Sequence, residues 1–189
     1  MSSPYFFGYG SLVNVATHSY RDTQPARLTG WQRSWVQTEV RDMAFLSVIA
    51  NPNTAIDGLI AAVPGADWDA LDDREFAYER LQASSNVHHK HPRARDIQVY
   101  AVPESPYNQI QPAYPVWLSY LDVVVQGYLQ VFGEAGVAAF FQSTSGWDRP
   151  FIDDRAAPLY PRAQVLSPQE QALVDHYLNQ TTAIRTPLE

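Results

Sequence analysis

The chain has 189 residues, enough for one well-packed domain and short for two, and its 46% hydrophobic and 13% aromatic content excludes global disorder. A net charge of −7 without a lysine-rich run excludes the electrostatic footprint of a nucleic-acid binder, so a small molecule is the expected partner. Cysteine is absent, which excludes disulfide frameworks, thiolate metal sites and cysteine nucleophiles together.

In chain order, the first predicted element is an apolar strand at residues 5–8 that runs into Tyr9, Gly10, Ser11 and Leu12. Glycines at 8 and 10 permit backbone approaches that a Cβ forbids, and such a turn can offer N–H groups to an anion. It is not a nucleotide loop: a dinucleotide fingerprint would need a third glycine at Val13, and a Walker loop would need a lysine. Ser11 is not in a nucleophile elbow either, because Tyr9 and Leu12 occupy its glycine positions. A tight turn without a ligand is the competing reading.

Strands are expected at residues 26–40, 44–50 and 56–63, the last ended by Pro64-Gly65. A short helix follows with Asp67 as its expected cap, then strands at 78–83 and 96–102 around a loop rich in Ser, Asn and His. Beyond a Pro-rich internal loop at 103–115, Trp117, Leu121, Val124 and Tyr128 recur at helical spacing to about Gly133. They mark a core helix, with a second helix over 134–142. Residues 146–161 read as an ordered irregular wrap, and Ser167, Pro168 and Glu170 as the capping box of a last helix reaching about Asn179. The expectation is a single domain over 1–189, β-rich in 1–102, with a helical C-terminal extension over 115–189 packed on it. The first residues carry no basic-then-apolar leader and no stretch reaches about 18 uninterrupted apolar residues, so a cytoplasmic chain without membrane contact is expected.

One carboxylate falls on the apolar side of the short helix. Trp68 and Leu71 set its inward direction, and Glu75, seven and four residues further on, lies between them on the wheel, whereas Asp69 and Asp73 turn outward and Asp72 sits at the border. A glutamate aimed at apolar surroundings has a raised pKa and suits general acid/base work. The alternative is a last-turn glutamate bent to solvent or paired with Arg74 or Arg80.

Taken together, Tyr9-Gly10-Ser11-Leu12 resembles the substrate loop of the γ-glutamylcyclotransferase-like superfamily, including its ChaC-like and AIG2-like branches. Leu71-Asp72-Asp73-Arg74-Glu75 resembles the segment that carries that family's catalytic glutamate, and Tyr78-Glu79-Arg80-Leu81 the strand after it. Ser119-Tyr120-Leu121-Asp122 and the run from Gly146-Trp147-Asp148 to Tyr160-Pro161-Arg162 resemble bacterial members with a long C-terminal extension. The resemblance implies an α+β fold, a mixed and partly closed β-barrel flanked by helices. It also implies intramolecular attack of a γ-glutamyl α-amine on its own γ-carbonyl, releasing 5-oxoproline and an amine. Glu75 would be the general acid/base, and Tyr9, Gly10, Ser11, Leu12 and Tyr78 would bind the substrate, with no metal or other cofactor. A non-catalytic ligand-binding or regulatory domain of the same fold is the alternative.

Two further patterns suggest other chemistry. His88, His89 and His91 fall close enough to suggest a metal site, against solvated histidines in a polar loop. Arg155, beside Asp153 and Asp154, is a candidate carboxylate-binding arginine, against a set of salt bridges anchoring the tail.

Overall fold

The computed structural model describes residues 3–109 and 112–188. Strand β1 (Tyr5–Gly8) is buried at all four positions because it has a packed layer on each side. Tyr5 and Phe7 join the main core, while Phe6 faces a second cluster with Leu12, Val63, Leu71 and Tyr100. Two long strands follow, β2 (Arg21–Thr38) and β3 (Arg41–Ala62). The sequence pattern divides the second into two strands at Asn51-Pro52-Asn53, but β3 bends there and continues. Its register with β2 shifts between Thr29 and Trp31, opposite that bend. A β-bulge turns a strand without ending it.

Helix α1 (Asp69–Arg74) and the short strands β4 (Glu79–Gln82), β5 (Val87–His89) and β6 (Ile97–Ala101) complete the first half. Asp67 does not cap α1: its N-cap is Trp68, with no side-chain cap, and Asp67 is exposed one residue earlier. β1 lies between β3, antiparallel with Tyr5 opposite Ala62, and β6, parallel with Tyr5 opposite Ile97. The sheet order is β4-β6-β1-β3-β2-β5, and it curls into a half-barrel. The fold is thus the expected α+β arrangement of a mixed, partly closed barrel with helices outside.

The second half begins with β7 (Val116–Trp117) and α2 (Leu118–Ser143), which breaks at Gly133 where φ is +67°. The expected pair of helices is therefore present, joined at that glycine. By composition α2 is long and apolar enough to cross a membrane, but Leu121, Val124 and Tyr128 lie at 0–1% exposure in the domain core, as a core helix requires. Strand β8 (Thr144–Ser145) adds to β2, and β9 (Pro150–Asp153) joins β7 and β10 (Ile184–Pro187) in a small parallel sheet. These strands of two to four residues are too short for a period-2 pattern, and β9 falls within the stretch 146–161 that the sequence reads as irregular wrap. Helix α3 (Pro168–Leu178) starts with the expected capping box at Ser167 and Glu170.

Two contacts fix α2 against the turn after β1. Asn14, fully buried, donates to the Val123 carbonyl at 3.0 Å and to Gln126 Oε1 at 3.0 Å. At Gly127 the approach is so close that a Cβ would stand 2.6 Å from the Asn14 backbone nitrogen.

Candidate functional site

The turn and the inward carboxylate meet. Gly10 ends β1's extension, and Ser11–Val13 form one 3-10 turn whose residues are all buried. Leu71 is 0% exposed on the second apolar cluster, which draws the inner face of α1 toward β1. Glu75, the residue closing α1, follows that face inward, and its side chain keeps 14% of its exposure. It lines one pocket with Ser11, Leu46, Tyr78, Tyr120 and Tyr160, and a narrower slot with Tyr9, Gly10, Ser11 and Leu12. All six site residues read from the sequence, Tyr9, Gly10, Ser11, Leu12, Glu75 and Tyr78, thus border one connected hollow.

Both readings of Glu75 hold in part. It points inward, and Arg74 Nε lies 3.2 Å from its Oε1. Arg74 also reaches back to the turn, donating to the Thr17 carbonyl at 3.0 Å and to Ser11 Oγ at 3.1 Å. Burial pushes the Glu75 carboxyl above its ordinary value, opposed by the charges of Arg74 and Arg162. A base with a raised pKa is a better match to a proton that must move near neutral pH.

Five tyrosines line the hollow, Tyr100 among them at the slot. Tyr9 donates to the Tyr100 carbonyl at 2.6 Å, Tyr78 to the Leu46 carbonyl at 3.0 Å, and Tyr160 to Ser11 Oγ at 3.0 Å. Tyr120 is different: its oxygen faces the Ser11 amide, and its hydroxyl donates to no acceptor among the described residues. Burial raises the pKa of Tyr9, Tyr78 and Tyr120, so their hydroxyls stay protonated. A Cβ on Gly10 would lie 2.8 Å from the Tyr120 hydroxyl, which explains the second glycine of the turn.

Tyr120, Tyr160 and Arg162 enter from the second half of the chain, in segments whose resemblance assigns them no role in the site. Tyr160 is held by its amide on Ser119 Oγ at 3.3 Å, and Ser119 is held in turn by the buried Asp154 carboxylate at 2.6 Å. Asp154 sits at the positive end of α2 and also accepts the Leu159 amide at 2.8 Å. Arg155 does not enter the pocket. It pairs with Asp122 at 2.7 Å and Asp175 at 2.8 Å, tying the tail to α2 and α3, because two aspartates on those helices face it.

The histidines do not assemble a metal centre. His88 is exposed on β5, His89 Nδ1 accepts the His91 amide, and His91 Nε2 lies 3.0 Å from Asp22. No three metal-ligating side chains come together among the described residues.

His18 braces the turn from below, its Nε2–H donating to the Leu12 carbonyl at 3.1 Å while buried Nδ1 has no partner among the described residues. Burial pulls its pKa down to about 4. The unfolded chain, with histidine near 6.5, therefore binds the extra proton in the intervening range. His18 is compatible with full stability above about pH 6.5 and costs stability as pH falls toward 4, on the order of 2 kcal/mol after allowance for its partial exposure. His18→Gln keeps the donor but cannot titrate. Its urea midpoint should fall less than that of the wild type between pH 7 and 4.5, and parallel curves would refute the assignment.

No protein-family model matches the chain, and neither does any curated protein. Solved structures do. YkqA from Bacillus subtilis aligns with a TM-score of 0.57 at 17% identity over 77% of this chain, which spans 57% of YkqA. A protein named gamma-glutamyl cyclotransferase aligns with a TM-score of 0.56 at 11% identity, over 92% of this chain and 99% of that one. An uncharacterized protein from Homo sapiens aligns with a TM-score of 0.56 at 12% identity, over 93% and 99% of the two chains. These likenesses show the fold: a curled half-barrel flanked by helices, shared with the solved structure named gamma-glutamyl cyclotransferase.

Proposed function

We propose that the protein is a γ-glutamyl cyclotransferase that releases 5-oxoproline and an amine, with Glu75 as general acid/base. The observation that carries this reading is the shared hollow: Glu75 and the residue 9–12 turn border it from opposite elements. The turn and Tyr78 hold the glutamyl end folded, so that its α-nitrogen and γ-carbon meet within one bound molecule. Glu75 takes a proton from the α-ammonium, the nitrogen attacks the γ-carbonyl, and the new C–N bond closes a five-membered ring. As the tetrahedral carbon collapses, the original C–N bond breaks, the proton passes from Glu75 to the departing amine, and the ring nitrogen gives its second proton to the freed Glu75 carboxylate, leaving the neutral lactam N–H. The chemistry is proton transfer and acyl transfer throughout.

Tyr120 is the donor for the oxygen that becomes an oxyanion. Its hydroxyl is protonated, uncommitted among the described residues and borders both parts of the hollow. Tyr120→Phe should lower kcat about 100-fold with little change in melting temperature, and an unchanged kcat would remove it from the mechanism.

The test of the reading itself is incubation of purified protein with a panel of γ-glutamyl compounds. Release of 5-oxoproline together with one equivalent of amine supports the enzyme. Saturable binding without product supports a ligand-binding domain instead.

A further inference from the structure

The hollow has two parts of unequal size. The slot at the turn measures about 20 Å³ and is lined by Tyr9, Gly10 and Leu12. The chamber outside it measures about 280 Å³ and is lined by Arg41, Arg162, Phe45 and Phe76. Ser11, Glu75, Tyr78 and Tyr120 border both, so the reacting carbon belongs at their junction. A glutamyl group seated at the turn with its amine on Glu75 sends whatever is attached to its γ-carbonyl into the outer chamber.

The cations of that chamber differ in what they already hold. Arg74 is spent on Glu75, Ser11 and Thr17, and Arg41 lies over the Phe76 ring at 4.7 Å. The Arg162 guanidinium has no hydrogen-bond or ion-pair partner among the described residues, yet it is partly buried on the chamber wall and near enough to lower the Glu75 pKa. Asp73, exposed, is the other acid lining the chamber besides Glu75 among the described residues. The Arg162 backbone is anchored two residues upstream, where the Tyr160 side chain bonds Ser11 and packs edge-on to Tyr120. A partly desolvated guanidinium without an anion is incomplete, and a planar carboxylate completes it through paired charge-assisted hydrogen bonds.

We propose that Arg162 is a specificity-determining residue that selects γ-glutamyl compounds whose departing amine carries a carboxylate. This rests on the cyclotransferase reading above. γ-Glutamyl amino acids and peptides meet the guanidinium with an anion. γ-Glutamylalkylamines leave it unpaired, and γ-glutamylpolyamines bring a second cation against it.

γ-Glutamylalanine and γ-glutamylethylamide differ only by that carboxylate, which makes their kcat/KM ratio the readout. The wild type should favour the first by tenfold or more, mainly through KM. Arg162→Gln should bring the ratio near one, Arg162→Glu should reverse it, and Arg162→Lys should restore part of it, each variant being checked for an unchanged melting curve. A wild type without preference, or an Arg162→Gln variant that weakens both substrates alike, overturns the assignment. Calorimetric binding of both compounds to Glu75→Gln separates this inference from the reading beneath it. Binding preference without wild-type turnover would refute cyclotransfer but keep the arginine's role, and turnover without preference would do the reverse.

Discussion

Glu75→Gln is expected to lower 5-oxoproline release by on the order of 10³-fold while leaving the protein folded. The amide has nearly the same volume and keeps a hydrogen-bond acceptor for Arg74, whose other bonds to Thr17 and Ser11 are untouched. What is lost is the ability to take the α-ammonium proton and return it to the leaving amine. The loss should appear in kcat, with KM changing by no more than a few-fold. Retention of more than a tenth of wild-type turnover would exclude Glu75 as the proton carrier.

The same substitution has a stability signature of opposite sign. Burial outweighs the attraction of Arg74 and Arg162 and raises the Glu75 pKa. The folded chain therefore holds this proton to higher pH than the unfolded chain, whose glutamates titrate near 4.3. The favourable contribution is fully present below that value and is lost as pH rises through the raised one. At neutral pH the variant should be at least as stable as the wild type, and the gap should close on acidification. The wild-type pH profile of kcat/KM should carry an acid limb above the ordinary carboxylate range, absent from the residual activity of Glu75→Gln.

How much of this site is legible in the sequence depends on how local each part is. The residue 9–12 turn and Glu75 are carried by short motifs, and the wheel over Trp68, Leu71 and Glu75 gives the direction of the carboxylate because Leu71 anchors that face at 0% exposure. Asp67 misleads, because a residue fit to cap does so only if the chain enters the helix at the right angle, and here Trp68 intervenes. Tyr120, Tyr160 and Arg162 lie roughly a hundred residues or more beyond the turn. Nothing in their local pattern points to a pocket, since their placement follows from how α2 and the 146–162 wrap close over the half-barrel. Arg155 looks the better anion binder from its neighbours alone, yet Asp122 and Asp175 claim it, and an arginine seven positions later is left open to the chamber.

That dependence of the site on the second half sets the other large expected effect. Gly127→Ala adds one methyl at the place where α2 meets the chain just beyond the turn, and its Cβ would sit 2.6 Å from the Asn14 nitrogen and 2.8 Å from its Cα. Both are backbone atoms, so no rotamer change relieves the clash. The helix gains by propensity, about 1 kcal/mol for alanine over glycine. Against this stands overpacking of a rigid contact, which typically costs 1–3 kcal/mol, together with strain on the Asn14 bonds to Val123 and Gln126. The clash is with backbone on both sides, so the cost should exceed the gain and the net loss should be about 2–3 kcal/mol, read as a lowered urea midpoint with an unchanged slope. Because relief requires α2 and the turn to separate, Tyr120 would retreat from Ser11, and the surviving folded protein should show a raised KM as well. A variant as stable as the wild type with unchanged kinetics would mean that the helix and the turn are not the rigid pair that the Asn14 contacts describe.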